Sequence, residues 1–312
     1  MAFHTWQIGL DIQNRQCCAL AILRRRRGWQ LCHWWQQRLP QDTLRNGVLQ
    51  SSPALLSVLS QWRKLLPRRY TLRVCLPAHL ALQQPLSLPD PPLKEPALGR
   101  FVRASAQRLF PVDPSELALD YRVDTNLERL SVTAARRDVV TQWRTPLEQA
   151  GLKCSVFELA TNALNIVAEQ AQLAAGSVVV LRQDARYLWS DGVNAALFAG
   201  EGDFDALREQ AFPHATSLYY CDADNALPPA GTVPFSPLQT FRYQQPPLPA
   251  HPGPSSWPPG WRCGKRIADG RCEPSSLAAL ALAASTASEL TYAGCHVRTG
   301  RAAGGRTVLA GS

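Results

Sequence analysis

The sequence lacks an apolar run long enough to cross a bilayer. Its longest candidate, residues 277–284, is short and rich in alanine, whereas a membrane helix needs about 20 apolar residues. The first residues also lack the basic region, apolar block and small-residue cleavage site of a signal peptide. We therefore expect a cytoplasmic protein without a transmembrane helix.

Spaced ligand motifs are missing as well. The nine cysteines include no C-x-x-C pair, the six histidines lie far apart, and neither H-E-x-x-H nor G-x-S-x-G occurs. This predicts no metal site, no disulfide framework and no catalytic residues, with the cysteines packed as small apolar side chains. Asp184 and Asp191 could be paired carboxylates, but turn residues are the commoner explanation.

Positive charge is present but unevenly placed. The net charge is +9, of which residues 251–312 contribute +4 through seven Lys/Arg and three Asp/Glu. The one dense basic run in the body is Arg24, Arg25, Arg26 and Arg27, between two strand-like segments. It is either a solvated hairpin turn or a patch that lies near anionic lipid headgroups.

Hydrophobic patterning predicts two similar halves. Trp6–Ile12, residues 17–23 and residues 29–39 read as three antiparallel strands. Residues 178–181, 186–190 and 193–198 repeat that plan, with a type I′ turn at Asp191-Gly192. Two halves of about residues 1–172 and 173–250, each opened by a meander and followed by helices, favour an α/β fold of the duplicated, two-lobed actin-like (ribonuclease H-like) class.

Between the meanders the sequence predicts further elements. Ser52-Pro53 starts an amphipathic helix that ends before Pro67. Residues 71–76 alternate as a half-buried strand does. A proline-rich loop is expected to separate that strand from the next helix; it contains Pro85, Pro89, Pro91 and Pro92.

The turn after the first strand is the candidate ligand site. The sequence I-G-L-D-I ends at Ile12 and the turn Q-N-R-Q follows; in actin-like folds this hairpin holds the nucleotide phosphates. Phosphate-binding turns use glycine because backbone N–H groups must approach the ligand closely, and this turn has no glycine. We interpret Asp11, Gln13 and Asn14, together with Gly200 and Gly202 of a later G-E-G-D turn, as a relic nucleotide site.

Residues 131–164 carry a family resemblance. They read S-V-T-A-A-R-R-D-V-V-T-Q-W-R-T-P-L-E-Q-A-G-L-K-C-S-V-F-E-L-A-T-N-A-L, which resembles the PilM family of type IV pilus assembly proteins. L-D-Y at residues 119–121 resembles the family's L-D-Y strand. W-W at residues 34–35 and R-Y-Q-Q-P-P-L-P at residues 242–249 make the HofM type, from the DNA-utilisation cluster, the most similar version. The resemblance covers about residues 3–250.

The resemblance implies a platform protein peripheral to the inner membrane. Such proteins hold the short cytoplasmic N-terminal tail of a membrane partner, PilN or HofN, in a pilus-like machine, here one for DNA uptake. Family members can bind ATP through both hairpins, but Gln13 replaces a family glycine and R-Q-D at residues 182–184 replaces D-x-G. We therefore predict a non-catalytic protein with no cofactor. ATP binding by an active actin-like ATPase, and direct DNA binding through residues 24–27, are the alternatives.

The last sixty residues have a different composition. After residue 250 the chain is rich in Pro, Gly, Ala, Ser and Arg. Codons can be chosen for residues 255–270 that, read one base earlier, encode an apolar closing helix of the PilM type. We hypothesise a frameshift near residues 250–255, which makes residues 251–312 an atypical, irregular tail; a disordered linker and tail is the alternative.

Overall fold

The described residues form two five-stranded sheets, one three-stranded sheet and two short hairpins. The computed structural model describes residues 5–25, 28–124, 129–183, 186–192, 195–197, 204–222, 227–235, 299–301 and 307–309. The strands are β1 (Trp6–Ile12), β2 (Gln16–Arg25), β3 (Gly28–Arg38), β4 (Leu44–Arg45), β5 (Val48–Leu49), β6 (Tyr70–Leu76), β7 (Ala81–Ser87), β8 (Leu117–Asp124), β9 (Arg129–Arg136), β10 (Cys154–Leu159), β11 (Ser177–Gln183), β12 (Arg186–Ser190), β13 (Ala195–Leu197), β14 (Ser217–Asp222), β15 (Val233–Pro234), β16 (Thr299–Arg301) and β17 (Thr307–Leu309). The helices are α1 (Pro53–Leu65), α2 (Ala97–Leu109), α3 (Arg137–Gln149), α4 (Ala160–Ala171) and α5 (Phe204–Ala211).

The two large sheets share one plan. The first has the order β10-β6-β1-β2-β3 and the second has the order β13-β12-β11-β14-β15. In each, the opening strand pairs antiparallel with the next strand of its meander on one side and parallel with a later strand on the other. The predicted repeat is therefore confirmed, and the molecule has two lobes.

The first lobe buries one face of its sheet under α1 and α3. Leu55, Leu59 and Trp62 of α1 are almost fully buried against Ile8 and Leu10 of β1. The predicted helix start is confirmed, because the Ser52 side chain accepts a hydrogen bond from the Leu55 backbone N–H at 3.2 Å. This packing fixes the end of β1 from which the first hairpin turn departs.

The strand at residues 71–76 is buried on both faces, so the half-buried interpretation was wrong. Arg73 and Cys75 are 2% and 1% exposed although they alternate with the apolar core residues. The reason is α4, which covers this second face and also packs on β11 and β12. The alternation of apolar residues within one strand cannot predict that a helix shared by both lobes covers its second face.

A small sheet of order β7-β9-β8 carries α2 on one face. Its strand β7 runs through Pro85, where we expected only a proline-rich loop. Proline is tolerated there because β7 is an edge strand of this sheet. The other face of the sheet meets the first lobe through Ala118, Ala135, Val140 and Phe157.

The type I′ turn predicted at Asp191-Gly192 is wrong. Ser190 pairs with Ala195, which leaves four residues in the loop, and Asp191 does not have the positive φ that a type I′ turn requires. Consecutive positive φ angles occur instead at Asn46 and Gly47, between β4 and β5.

Several expectations fall outside the described residues. These are Arg26 and Arg27, the turn with Gly200 and Gly202, and residues 251–312 apart from the paired strands β16 and β17. Within the described ranges, no helix is long and apolar enough to traverse a bilayer.

Candidate functional site

The first hairpin turn is closed by its own side chains. Asp11 is 2% exposed and its Oδ2 accepts a hydrogen bond from the Gln13 amide at 2.7 Å. The Gln16 amide donates to Gln13 Oε1 at 2.5 Å, and the Gln36 amide donates to Gln16 Oε1 at 2.9 Å. A ladder of glutamines therefore runs from the buried carboxylate across β2 to β3.

The backbone of this turn does not form a phosphate nest. Such a nest needs successive N–H groups that converge on the anion, usually with a left-handed residue among them. None of the residues 13–16 has a positive φ, and the Gln13 N–H donates to the Gln16 carbonyl at 2.9 Å. The turn is a hydrogen-bonded hairpin connection.

Asn14 anchors the chain that follows β3. Its Oδ1 accepts hydrogen bonds from the backbone N–H groups of Thr43 and Leu44, each at 3.1 Å. Beside it, Arg15 and Asp42 form an exposed ion pair at 2.7 Å. The Asn14 side chain is thus occupied in a structural contact.

Asp11 belongs to a buried polar cluster that sequence reasoning missed. The Cys75 thiol hydrogen-bonds to Asp11, and burial first, then the carboxylates of Asp11 and Glu158, raise the pKa of this thiol. On the neighbouring strand, Glu158 pairs with Arg73 at 3.4 Å, with side chains 7% and 3% exposed. The signal was a charged residue in each of two strands, β6 and β10, that had otherwise apolar patterns.

A polar chain links this cluster to the small sheet. Glu158 Oε1 accepts from the Asn162 amide at 2.9 Å, and the Gln83 amide lies between Asn162 Oδ1 at 3.5 Å and Thr133 Oγ1 at 3.2 Å. We call this region, where β10 faces the small sheet, the β10 junction. It brings the first lobe, α4 and the small sheet together.

Arg122 adds a positive charge near the junction. Burial lowers the pKa of Arg73, the carboxylate of Glu158 opposes this, and the positive charge of Arg122 lowers that pKa further. Arg122 itself is exposed on β8. β10 is the terminal strand of the first sheet, so the junction lies along a sheet edge.

The second hairpin does not reproduce the first. Arg182 lies on the face of β11 that packs with α5, because Val178 and Val180 of the same alternation set belong to that cluster. It pairs with Asp222 at 3.5 Å, and Asp222 also accepts from the Tyr220 hydroxyl at 3.2 Å. The next residue, Gln183, alternates to the opposite face of β11.

The structure brings three of the five predicted site residues together. Asp11, Gln13 and Asn14 lie in one hairpin, while Gly200 and Gly202 lie outside the described residues. In the part of the chain that the structure describes, no three His, Cys, Asp or Glu side chains converge as metal ligands.

Comparison with known proteins decides the family. A family model described as type IV pilus assembly protein PilM matches residues 9–178, more than half of the chain. The chain belongs to the PilM family. Over 256 residues it is 26% identical to the DNA utilization protein HofM of Escherichia coli K12, which covers 80% of this chain and 93% of that protein.

A solved PilM–PilN type IV pilus biogenesis complex shares the fold. The match has a TM-score of 0.57 at 15% identity and covers 89% of this chain and 97% of that chain. The actin-like fold class predicted from the sequence is confirmed. In this PilM family member, residues 131–164 form most of β9, all of α3 and β10, and the start of α4. Of these elements, β9, β10 and α4 contribute side chains to the β10 junction.

Proposed function

We propose that the protein is a non-catalytic platform of a type IV pilus-like or DNA-uptake apparatus. It works in the cytoplasm, peripheral to the inner membrane, and holds the cytoplasmic N-terminal tail of a PilN- or HofN-type membrane protein. The observation that carries this proposal is the family match over residues 9–178, supported by the fold shared with a PilM chain from a complex with PilN.

The β10 junction is the surface we assign to the tail. A sheet-terminal strand can accept an extended peptide through main-chain hydrogen bonds, with side chains on either side for specificity. β10 is such a strand, and Arg122 on the facing sheet is an exposed donor for peptide carbonyl groups. Other components of the apparatus would then use other surfaces of the two lobes.

Binding of a labelled tail peptide to the purified full chain tests this. We expect saturable binding by fluorescence anisotropy, weakened at least tenfold by Arg122→Glu, because the new carboxylate cannot donate to carbonyl groups and is costly to desolvate in an interface. Arg103→Glu is the matched control, because Arg103 is also exposed but lies on α2, across the same small sheet. A folded protein that binds no partner tail would refute the platform function.

The closed first hairpin supports the absence of ATP turnover. The Gln13 amide donates a hydrogen bond to the Asp11 carboxylate, and the turn offers no converging backbone N–H groups. These residues therefore do not fit a phosphate or its magnesium ion. A ligand at 100 times its Kd would add about 2.7 kcal/mol of stability. We expect no rise in melting temperature with ATP and Mg²⁺; a clear rise would favour the alternative, an active actin-like ATPase.

A further inference from the structure

Basic side chains surround an exposed leucine at the end of α1. Lys64, Arg68 and Arg69 are exposed, and Leu65 among them is 45% exposed. Leu55, Leu59 and Trp62 of α1 are buried in the core, whereas Leu65 protrudes from the same helix near its end. An apolar side chain within a basic surface suits a partner that offers both negative charge and an apolar phase.

The backbone of this corner is held in place. The Arg63 Nε donates to the Gly151 carbonyl at 3.1 Å, and its guanidinium carbon lies 5.2 Å from the centre of the Tyr70 ring. The Tyr70 hydroxyl accepts from the backbone N–H of Lys153 at 3.1 Å. These contacts bring exposed Lys153 to the same corner as the end of α1.

Strand register places Arg24, the first residue of the arginine run, near the same corner. Trp6 of β1 pairs with Tyr70 of β6, so Arg69 lies at the amino-terminal end of both strands. β2 runs antiparallel to β1, and Arg24 follows two residues after Ile22, the last residue paired with β1. Since neighbouring strands are about 4.8 Å apart, the backbones of Arg24 and Arg69 lie about 10 Å from each other.

We call this surface, formed by residues 24–25 at the end of β2, residues 63–69 and residue 153, the basic edge. These positions hold seven of the 33 Lys and Arg in the chain. The flanking stretches 22–31, 60–72 and 150–155 contain no Asp or Glu. The positive charge is therefore concentrated at one end of the first sheet and is not neutralised by its neighbours in sequence.

We infer that the basic edge binds directly to an anionic lipid bilayer. Lys and Arg near such a surface gain about 1 kcal/mol each, and an apolar side chain at headgroup depth gains by leaving water. Exposed Leu65 favours a bilayer over a nucleic acid, which offers charge but no apolar phase. This inference goes beyond partner binding, because it concerns contact with the membrane itself.

Vesicle sedimentation of the full chain, without any partner present, tests the inference. We expect binding to phosphatidylcholine vesicles that contain about a quarter phosphatidylglycerol, little binding to pure phosphatidylcholine, and weakening by salt. Lys64→Gln with Arg68→Gln should weaken partitioning about 25-fold, from about 1 kcal/mol per charge. Leu65→Ser should weaken it as well.

The control is Arg100→Gln with Arg103→Gln, two exposed arginines one turn apart on α2. Equal weakening by the control pair would overturn the inference, because it would show a general charge effect. Binding to a DNA duplex in place of vesicles, lost in the Lys64/Arg68 variant, would assign the edge to nucleic acid instead. A protein that does not bind vesicles can still bind the tail peptide in the anisotropy assay. The two proposals can therefore be refuted independently of each other.

Discussion

The buried ion pair between Arg73 and Glu158 allows a quantitative prediction. The two side chains are 3% and 7% exposed, and the pair joins neighbouring strands β6 and β10 under α4. Removing one partner of a buried pair costs about 3–5 kcal/mol, because the remaining charge stays desolvated. We therefore expect Glu158→Ala to lower the free energy of unfolding by about 3–5 kcal/mol.

Urea unfolding followed by tryptophan fluorescence and circular dichroism measures this change. With a slope of about 3 kcal/mol per molar urea, the midpoint should fall by about 1–1.7 M. The double variant Arg73→Met/Glu158→Leu is the control, since replacing both charges by apolar groups of similar volume is often near neutral. If Glu158→Ala costs less than about 1 kcal/mol, or the double variant costs as much as the single one, the reasoning is refuted.

Two further predictions concern the turn at Gly47 and the buried thiols. Gly47→Ala should destabilise the protein by about 1–3 kcal/mol, because φ is +78° and a new Cβ would lie 2.6 Å from His79 Cε1. Thermal melting measures this change. The control is Gly99→Ala in α2, where φ is ordinary and alanine is expected to be neutral or stabilising. Burial raises the pKa of Cys154 to about 12, so at pH 8 only about one molecule in ten thousand carries the reactive thiolate. Alkylation mapped by mass spectrometry should modify half-buried Cys221 well before Cys154 in the folded protein, and equal rates would contradict the buried site.

The duplicated fold could be predicted because its signal is local. Three consecutive strands with polar turns depend on alternation and turn residues within about forty positions, and this pattern recurs at β11 to β13. Helix α1 was readable for a similar reason, since Ser52, Pro53 and apolar spacing all indicate the same start. Local agreement of several rules makes an element predictable.

The polar cluster around Asp11 could not be predicted because it forms only in three dimensions. Cys75 and Glu158 are far from Asp11 in sequence, and strand pairing together with α4 brings them into one buried layer. Arg73 looked like the solvent-facing residue of a half-buried strand for the same reason. The missing glycine at Gln13 did signal an unusual turn, but the hydrogen bond from Gln13 to Asp11 needed coordinates.

The two proposed surfaces fit one orientation of the molecule. Lys153 at the basic edge immediately precedes β10, so an extended tail that leaves the membrane there can run directly along β10 toward Glu158. β10 has six residues and is therefore about 20 Å long, which the same number of extended tail residues can match. The Gln13 turn lies at the opposite end of β1, about 20 Å from the basic edge. A membrane-bound platform uses the basic edge and β10. The hairpin turn at Gln13 can therefore have glutamine in place of glycine without weakening the binding of the membrane or of the tail.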